Sequence, residues 1–261
     1  MLKPSNRWLA FIYATGHLAR DLSNVLLYLK QKTNIASWTG SLGVGVCAGQ
    51  TEVFGRAGLT VMVGQFPESS FKIIPTLKSD VYEISEDKRK WMADSMLPFG
   101  IVHGDPLNPN ILGLIEALSK DIENVPLEVP GFLVGGLSAS QSEHFQVADI
   151  ITQGGLSGVL FKPEVEVVTG LSQGCIPVGN PHKITETKNG VIMSLDGRLA
   201  LEVFQEDIGE LLSCNLSRVD GYIHAAVPIS GSDMGDYVVR SLIAVDPKNG
   251  WLAVAAELSV G

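Results

Sequence analysis

Residues 37–47 read Ser37-Trp38-Thr39-Gly40-Ser41-Leu42-Gly43-Val44-Gly45-Val46-Cys47. Leu42, Val44 and Val46 alternate with small residues, the period-two pattern of a strand. Glycines inside a strand leave room for another backbone, a second sheet or a ligand to come close. The stretch therefore predicts a glycine-rich strand, and it sets the class of fold sought on either side.

Upstream, Leu18, Leu22, Val25, Leu26 and Leu29 give residues 16–30 one apolar helical face. Ahead of them, the short apolar run Trp8 to Ala14 is interrupted by His17, Arg20 and Asp21 and has no small-residue cleavage signal, unlike a secretory leader. Downstream, Leu59, Val61 and Val63 mark a second strand over 58–64, and 83–95 reads as a polar helix around Trp91 and Met92. Phe99 to His103 is a short apolar strand running into Gly104-Asp105-Pro106. Asn108 is placed to cap the helix that Pro109 opens, with Ile111, Leu112, Ile115 and Leu118 along it.

A further strand, 130–134, is expected to break at Gly135-Gly136. Segments 147–152, 158–161 and 165–171 follow with no room for a helix between them, so antiparallel pairing is expected. Then come a strand over 191–195, a helix over 199–212 and strands over 222–227, 238–246 and 251–258. The last two are joined by the hairpin turn Asp246-Pro247-Lys248-Asn249-Gly250. Helices and mainly antiparallel strands together predict an α+β fold, layered, with sheets flanked by helices. A domain boundary is expected near 213–221, dividing the chain into 1–215 and 216–261.

The 261 residues carry a net charge of −9, with 45% hydrophobic and 18% charged residues. That is a globular balance. No basic cluster is wide enough to hold a phosphate backbone, so nucleic acid and anionic membranes are poor partners. No apolar stretch approaches the length of a membrane span, and the expected location is the cytoplasm. Cys47, Cys175 and Cys214 are odd in number and widely spaced, which suggests neither a disulfide framework nor a zinc site.

Enzyme signatures are missing. Gly43-Val44-Gly45 lacks the third glycine of a dinucleotide loop, and neither a P-loop nor a nucleophile elbow is present. The five histidines form no close pair suited to a metal. What remains is a group of glycine-rich strand ends, Gly43, Gly45 and Gly49 on one strand and Gly135 and Gly136 on another. Bare backbone at such ends can line a shared cleft for a small ligand. The candidate ligand-binding residues are Gly43, Gly45, Cys47, Asp105, Gly135, Gly136 and Ser138, with Arg240 or Asp105 to pair a charged group. Cys47 has only Arg56 as a nearby base, so a small buried cysteine is the plainer reading. Asp105 serves a turn or a ligand amine about equally well. His103, at a strand end, is the residue to test as a haem ligand, although a turn histidine is the simpler reading.

The run 38–46 followed by Glu52 resembles the first glycine-rich block of FIST N-terminal domains. Ala57 to Gly64, Gly104-Asp105-Pro106 and 135–140 resemble the next blocks. The most specific run extends from Ser157-Gly158-Val159 to Gly174-Cys175-Ile176-Pro177-Val178-Gly179, and it leads on to 183–186 and 195–200. Asp236 to Arg240 and Ile243 to Pro247 resemble the opening of a FIST C-terminal domain, whose later part is expected to be truncated here. The resemblance implies a non-enzymatic sensory and signal-transduction module that binds a small ligand, such as an amino acid. It also implies two alternatives: a haem-binding nitric-oxide sensor, and an interaction scaffold for a signalling or ubiquitin-ligase partner.

Overall fold

The computed structural model describes residues 6–93, 99–123, 131–141, 143–170, 174–209, 222–228, 237–256 and 258–261. Contacts divide the chain into two compact units, Met1–Val168 and Thr169–Gly261. Of the boundary expected at 213–221, every residue lies outside the described ones.

In the first unit, the apolar run near the start forms β1 (Asn6–Thr15). Leu9 and Phe11 point into one core and Ala10 and Ile12 into another, so both faces of the strand are covered. A strand buried on both sides reads as a continuous apolar run, which is why alternation does not reveal it. A 3₁₀ turn (Gly16–Leu18) leads to α1 (Leu22–Thr33), which closes on Asn34 in the left-handed conformation at φ 57°. Leu26 packs on Ile12 and Trp38.

The stretch 37–47 is two strands rather than one. β2 (Ser37–Gly43) lies parallel to β1, and the chain then bends at Val44. β3 (Gly45–Ala48) pairs instead with β4 (Thr51–Phe54) in a separate hairpin. β5 (Leu59–Pro67) runs antiparallel to β1. β6 (Phe71–Leu77), which the sequence pattern does not single out, follows directly.

After α2 (Glu86–Ala93) comes β7 (Phe99–Gly104), then α3 (Ile111–Glu123), then β8 (Phe132–Leu137), which is parallel to β7. The expected break at Gly135-Gly136 does not occur. Both glycines lie within β8, and a Cβ on Gly135 would stand 1.9 Å from the Val102 carbonyl oxygen, so the missing side chain lets the strands approach. Segment 147–152 is a hairpin of β9 (Gln146–Ala148) and β10 (Ile150–Thr152), turned at Asp149 with φ 63°. β11 (Leu156–Phe161) is antiparallel to β6 and β7, in the other sheet. Residues 165–170 form no strand, and Leu171 lies outside the described residues.

The first unit thus holds two principal sheets, ordered β10-β9-β2-β1-β5 and β6-β11-β7-β8. Each is built around a β-α-β unit: β1-α1-β2 in one and β7-α3-β8 in the other. The sheets stack through Leu9, Phe11, Phe71, Phe99, Val159 and Phe161. Outside the second sheet, α3 covers Val102, Leu156 and Leu160 with Ile111, Leu114, Leu118 and Ile122. The layers run helix, sheet, sheet, helix.

The second unit contains β12 (Ile184–Lys188), β13 (Val191–Leu195), β14 (Arg198–Leu199), α4 (Ala200–Ile208), β15 (His224–Pro228), β16 (Tyr237–Asp246) and β17 (Trp251–Val254). Its sheet order is β12-β13-β17-β16-β15, all antiparallel, with β14 on β13. The turn expected at 246–250 is present. Asp246 Oδ1 accepts from the N–H groups of Lys248 and Asn249, and Gly250 has φ 77°. The fold class is α+β.

One pair of glycines tests this packing. A Cβ on Gly40 would sit 1.7 Å from the Ile12 carbonyl oxygen, whereas one on Gly113 in α3 meets nothing within 4 Å. Gly40→Ala is expected to cost roughly 3 kcal/mol or more, because β1 and β2 must separate. Gly113→Ala is expected to add about 1 kcal/mol through helix propensity. Urea denaturation of both variants measures the difference.

Candidate functional site

The two parallel pairs end at the same end of the sandwich. Across the first sheet, register places Gln146, Ser41, Tyr13 and Thr60 side by side. Across the second, it places Ser157, His103 and Gly136 side by side. These two rows face each other, and two side-chain hydrogen bonds cross the gap. Tyr13 Oη lies 3.0 Å from His103 Nε2, and Ser157 Oγ donates to Gln146 Oε1 at 3.2 Å. Gln146 also donates to the Gly155 carbonyl at 2.7 Å. Nearer the other end of the sandwich, the interior is aromatic, with Phe66, Phe71, Phe99 and Phe161 in mutual ring contact.

Burial is graded along the rows. Gln146 and Ser157 are fully enclosed, Tyr13 and Thr60 are half-buried, and Gly136 is exposed. A Cβ on Gly136 would meet nothing within 4 Å, so space is open beside His103's strand neighbour. None of the named side chains in the rows carries a fixed charge. His103 is 5% exposed, and burial pushes its imidazole down to about 4. Burial pushes the Tyr13 phenol up. Both are neutral near pH 7. His103 Nδ1 is buried and has no hydrogen-bond partner among the described residues. Such an orphan is costly unless something else satisfies it.

The residues expected from the sequence divide around this place. Gly43 ends β2 opposite Thr15, and Gly136 lies in the polar row itself. Gly45 is bare because the Phe54 ring occupies the space where its Cβ would be, at 2.2 Å. Cys47 is exposed rather than buried, since it rides on the β3–β4 hairpin opposite Glu52. Asp105 is fully engaged in the fold. Its carboxylate accepts from Leu107 N–H and Gly154 N–H at 2.9 Å each, tying the end of β7 to the 153–155 turn. Asn108 Oδ1 accepts from Asn110 N–H, as a cap should. Ser138 is buried, with Oγ 2.9 Å from His144 Nδ1. Arg240 belongs to the second unit, exposed on β16.

A haem does not fit His103 in this arrangement. Axial ligation needs a free ring nitrogen facing an open apolar cavity. Nε2 is held against Tyr13, and Nδ1, although unpartnered among the described residues, is buried with the ring between two sheets and flanked by the polar rows rather than by an apolar cavity.

The residues that sequence reasoning missed are Tyr13, Ser41, Thr60, Gln146 and Ser157. The available signal was the alternation of Ser37, Thr39 and Ser41 with Trp38 and Leu42, which marks a polar inner face on β2.

The first unit is a layered sheet-on-sheet sandwich with a neutral polar end. The family model described as the FIST N domain matches residues 8–198, and this chain belongs to that family. The family is generally associated with sensory and signal-transduction roles. The chain is similar to the uncharacterized protein Rv0628c of Mycobacterium tuberculosis, 34% identical over 158 residues, 57% of this chain and 39% of that protein. It is also similar to the uncharacterized protein Mb0898c of Mycobacterium bovis, 28% identical over 152 residues, 57% of this chain and 39% of that protein. The matched region spans about two fifths of the length of these curated relatives. No solved structure matches the chain. Among the described residues, no helix is long and apolar enough to cross a membrane, and no cluster of three or more His, Cys, Asp or Glu could hold a metal.

In the second unit, His182 stands between two carboxylates, with Nδ1 2.7 Å from Asp196 and Nε2 3.0 Å from Asp207. The hydrogen bond to Asp196 leads the causes that raise its pKa. The two histidines give pH dependences of opposite sign. Between pH 6.5 and about 4 the unfolded chain binds a proton that His103 refuses in the fold. Stability therefore falls across that window as pH drops, by about 3 kcal/mol in all. Protonated His182 contributes stability below pH 6.5, lost as pH rises through its raised folded value. Denaturation midpoints measured against pH are expected to lose the acid-side fall in His103→Leu and to keep it in His182→Gln.

Proposed function

We propose that the first unit is a non-enzymatic sensory module that binds a small polar metabolite, an amino acid or a relative, between the two polar rows. The observation that carries this reading is His103 Nδ1, a buried polar atom without a partner among the described residues, in a row that ends in open space at Gly136. A ligand entering there can supply the missing partner. Tyr13 sets the ring's position, and the backbone of Gly136 permits close approach. Because these rows present no charged side chain, an uncharged polar group of the ligand enters, and its ammonium or carboxylate stays at the solvent-facing end. Desolvating a charge without a countercharge would cost too much. The chemistry required is recognition alone. Signalling, a cytoplasmic setting and a downstream partner belong to the same proposal, as does a C-terminal FIST-like domain opening within 216–261.

The test is a thermal-shift screen of amino acids and neutral polar metabolites. A true ligand at a hundredfold its Kd is expected to add about 2.7 kcal/mol of stability. Gly136→Val, whose Cβ would meet nothing within 4 Å, is expected to abolish the shift while leaving the unliganded melt nearly unchanged. A screen without a hit, or a shift that survives Gly136→Val, defeats the proposal.

A further inference from the structure

β5 is the last strand of the first sheet, with β1 on one side and no described strand on the other. It is nine residues long. Natural edge strands are usually kept short or blunted by lysine, proline or a bulge. β5 has none of these before its final residue, Pro67, and its register with β1 is unbroken from Leu59 to Pro67. Large apolar side chains on it stand exposed, Met62 at 63% and Val63 at 43%.

The direction of its free backbone groups is fixed by one bond. The Gly58 carbonyl accepts from Thr15 N–H at 2.9 Å, so residue 58 points toward β1. Alternation then turns the backbone groups of Thr60, Met62, Gly64 and Phe66 toward β1, and those of Leu59, Val61, Val63, Gln65 and Pro67 outward. Pro67 agrees with this parity, since an outward position needs no N–H for the ladder. The edge therefore offers a row of amides and carbonyls that β1 does not use.

Charge identifies what can pair there. The whole chain carries −9, which opposes self-association unless the contact itself is free of like charges. No charged residue lies between Leu59 and Pro67. Arg56 precedes the strand and Glu68 follows it, and both are exposed. In an antiparallel pair the start of one strand meets the end of the other. A two-fold axis at Val63 places Val61 opposite Gln65 and Leu59 opposite Pro67 of the second copy. Arg56 of one copy then emerges at the same end as Glu68 of the other, twice over by symmetry.

We propose that β5 is a dimerisation edge, pairing antiparallel with β5 of a second copy about Val63. The first sheet then continues as one sheet across two molecules, with Val63 meeting Val63 at its centre and an Arg56–Glu68 pair at each end. The contact uses backbone groups that turn away from β1 and from the space between the sheets, so it stands or falls independently of the ligand-binding reading.

The test is sedimentation equilibrium of the full chain over a wide concentration range. Wild type is expected to show a monomer–dimer equilibrium. Val63→Pro removes an outward N–H and no bond to β1, so it is expected to give monomer with an unchanged circular dichroism spectrum. Arg56→Glu sets two carboxylates side by side at both ends of the paired strands and is expected to weaken the dimer by roughly tenfold. Adding Glu68→Arg to it is expected to restore the affinity. If Val63→Pro does not fold, the charge-reversal pair decides alone. Wild type that remains monomeric at the highest attainable concentration overturns the proposal. So does a dimer indifferent to Arg56→Glu, or one that the second reversal fails to rescue.

Discussion

The hydrogen bond between Tyr13 and His103 joins the two halves of the first unit. Tyr13 stands near the end of β1, His103 near the end of β7, and each strand leads a β-α-β unit. A Tyr–His pair enclosed between sheets holds only if both groups stay neutral, and burial shifts each in the direction that keeps it so. The bond also fixes lateral register, because apolar contacts alone would let one sheet slide over the other. The Ser157–Gln146 bond repeats this cross-link closer to the closed end. Together they give the sandwich two ends of different character, aromatic at one and polar at the other.

That division explains why a candidate site lies where it does. The aromatic end is packed ring on ring, with Thr39 Oγ1 buried beside Phe11 and without a partner among the described residues. The polar end holds an imidazole nitrogen without a partner among the described residues and an adjacent strand residue without a side chain.

The fold was legible where one face of an element is wet and illegible where both are dry. The turn at 246–250, the cap at Asn108 and the helices α1 and α3 showed themselves through turn chemistry and one-sided apolar spacing. β1 did not, because Ala10 and Ile12 serve one core while Leu9 and Phe11 serve another. β6 was obscured in the same way, with Ile73 and Ile74 buried in different clusters. For the site, glycine spacing pointed to the ends of β2 and β8. It could not separate Gly136, which borders open space, from Gly45 and Gly135, which are bare because Phe54 and the Val102 carbonyl press on them. Asp105 looked available because its two backbone donors, at Leu107 and Gly154, come from opposite sides of a long loop closure. Gln146 and Ser157 escaped notice because polar residues on short strands carry no signature of the sheet that will enclose them.

The order of strands has a consequence for how the chain is made. β11 is the inner strand that joins β6 to β7, and β9 borders β2, yet both are encoded after residue 145. During synthesis, the pieces that emerge first form two incomplete sheets, each with a gap at its centre or flank. The first cannot be completed until Thr152 has left the ribosome, nor the second until Phe161 has. A nascent chain halted before that point displays unpaired strands and open apolar faces, the features that chaperones recognise.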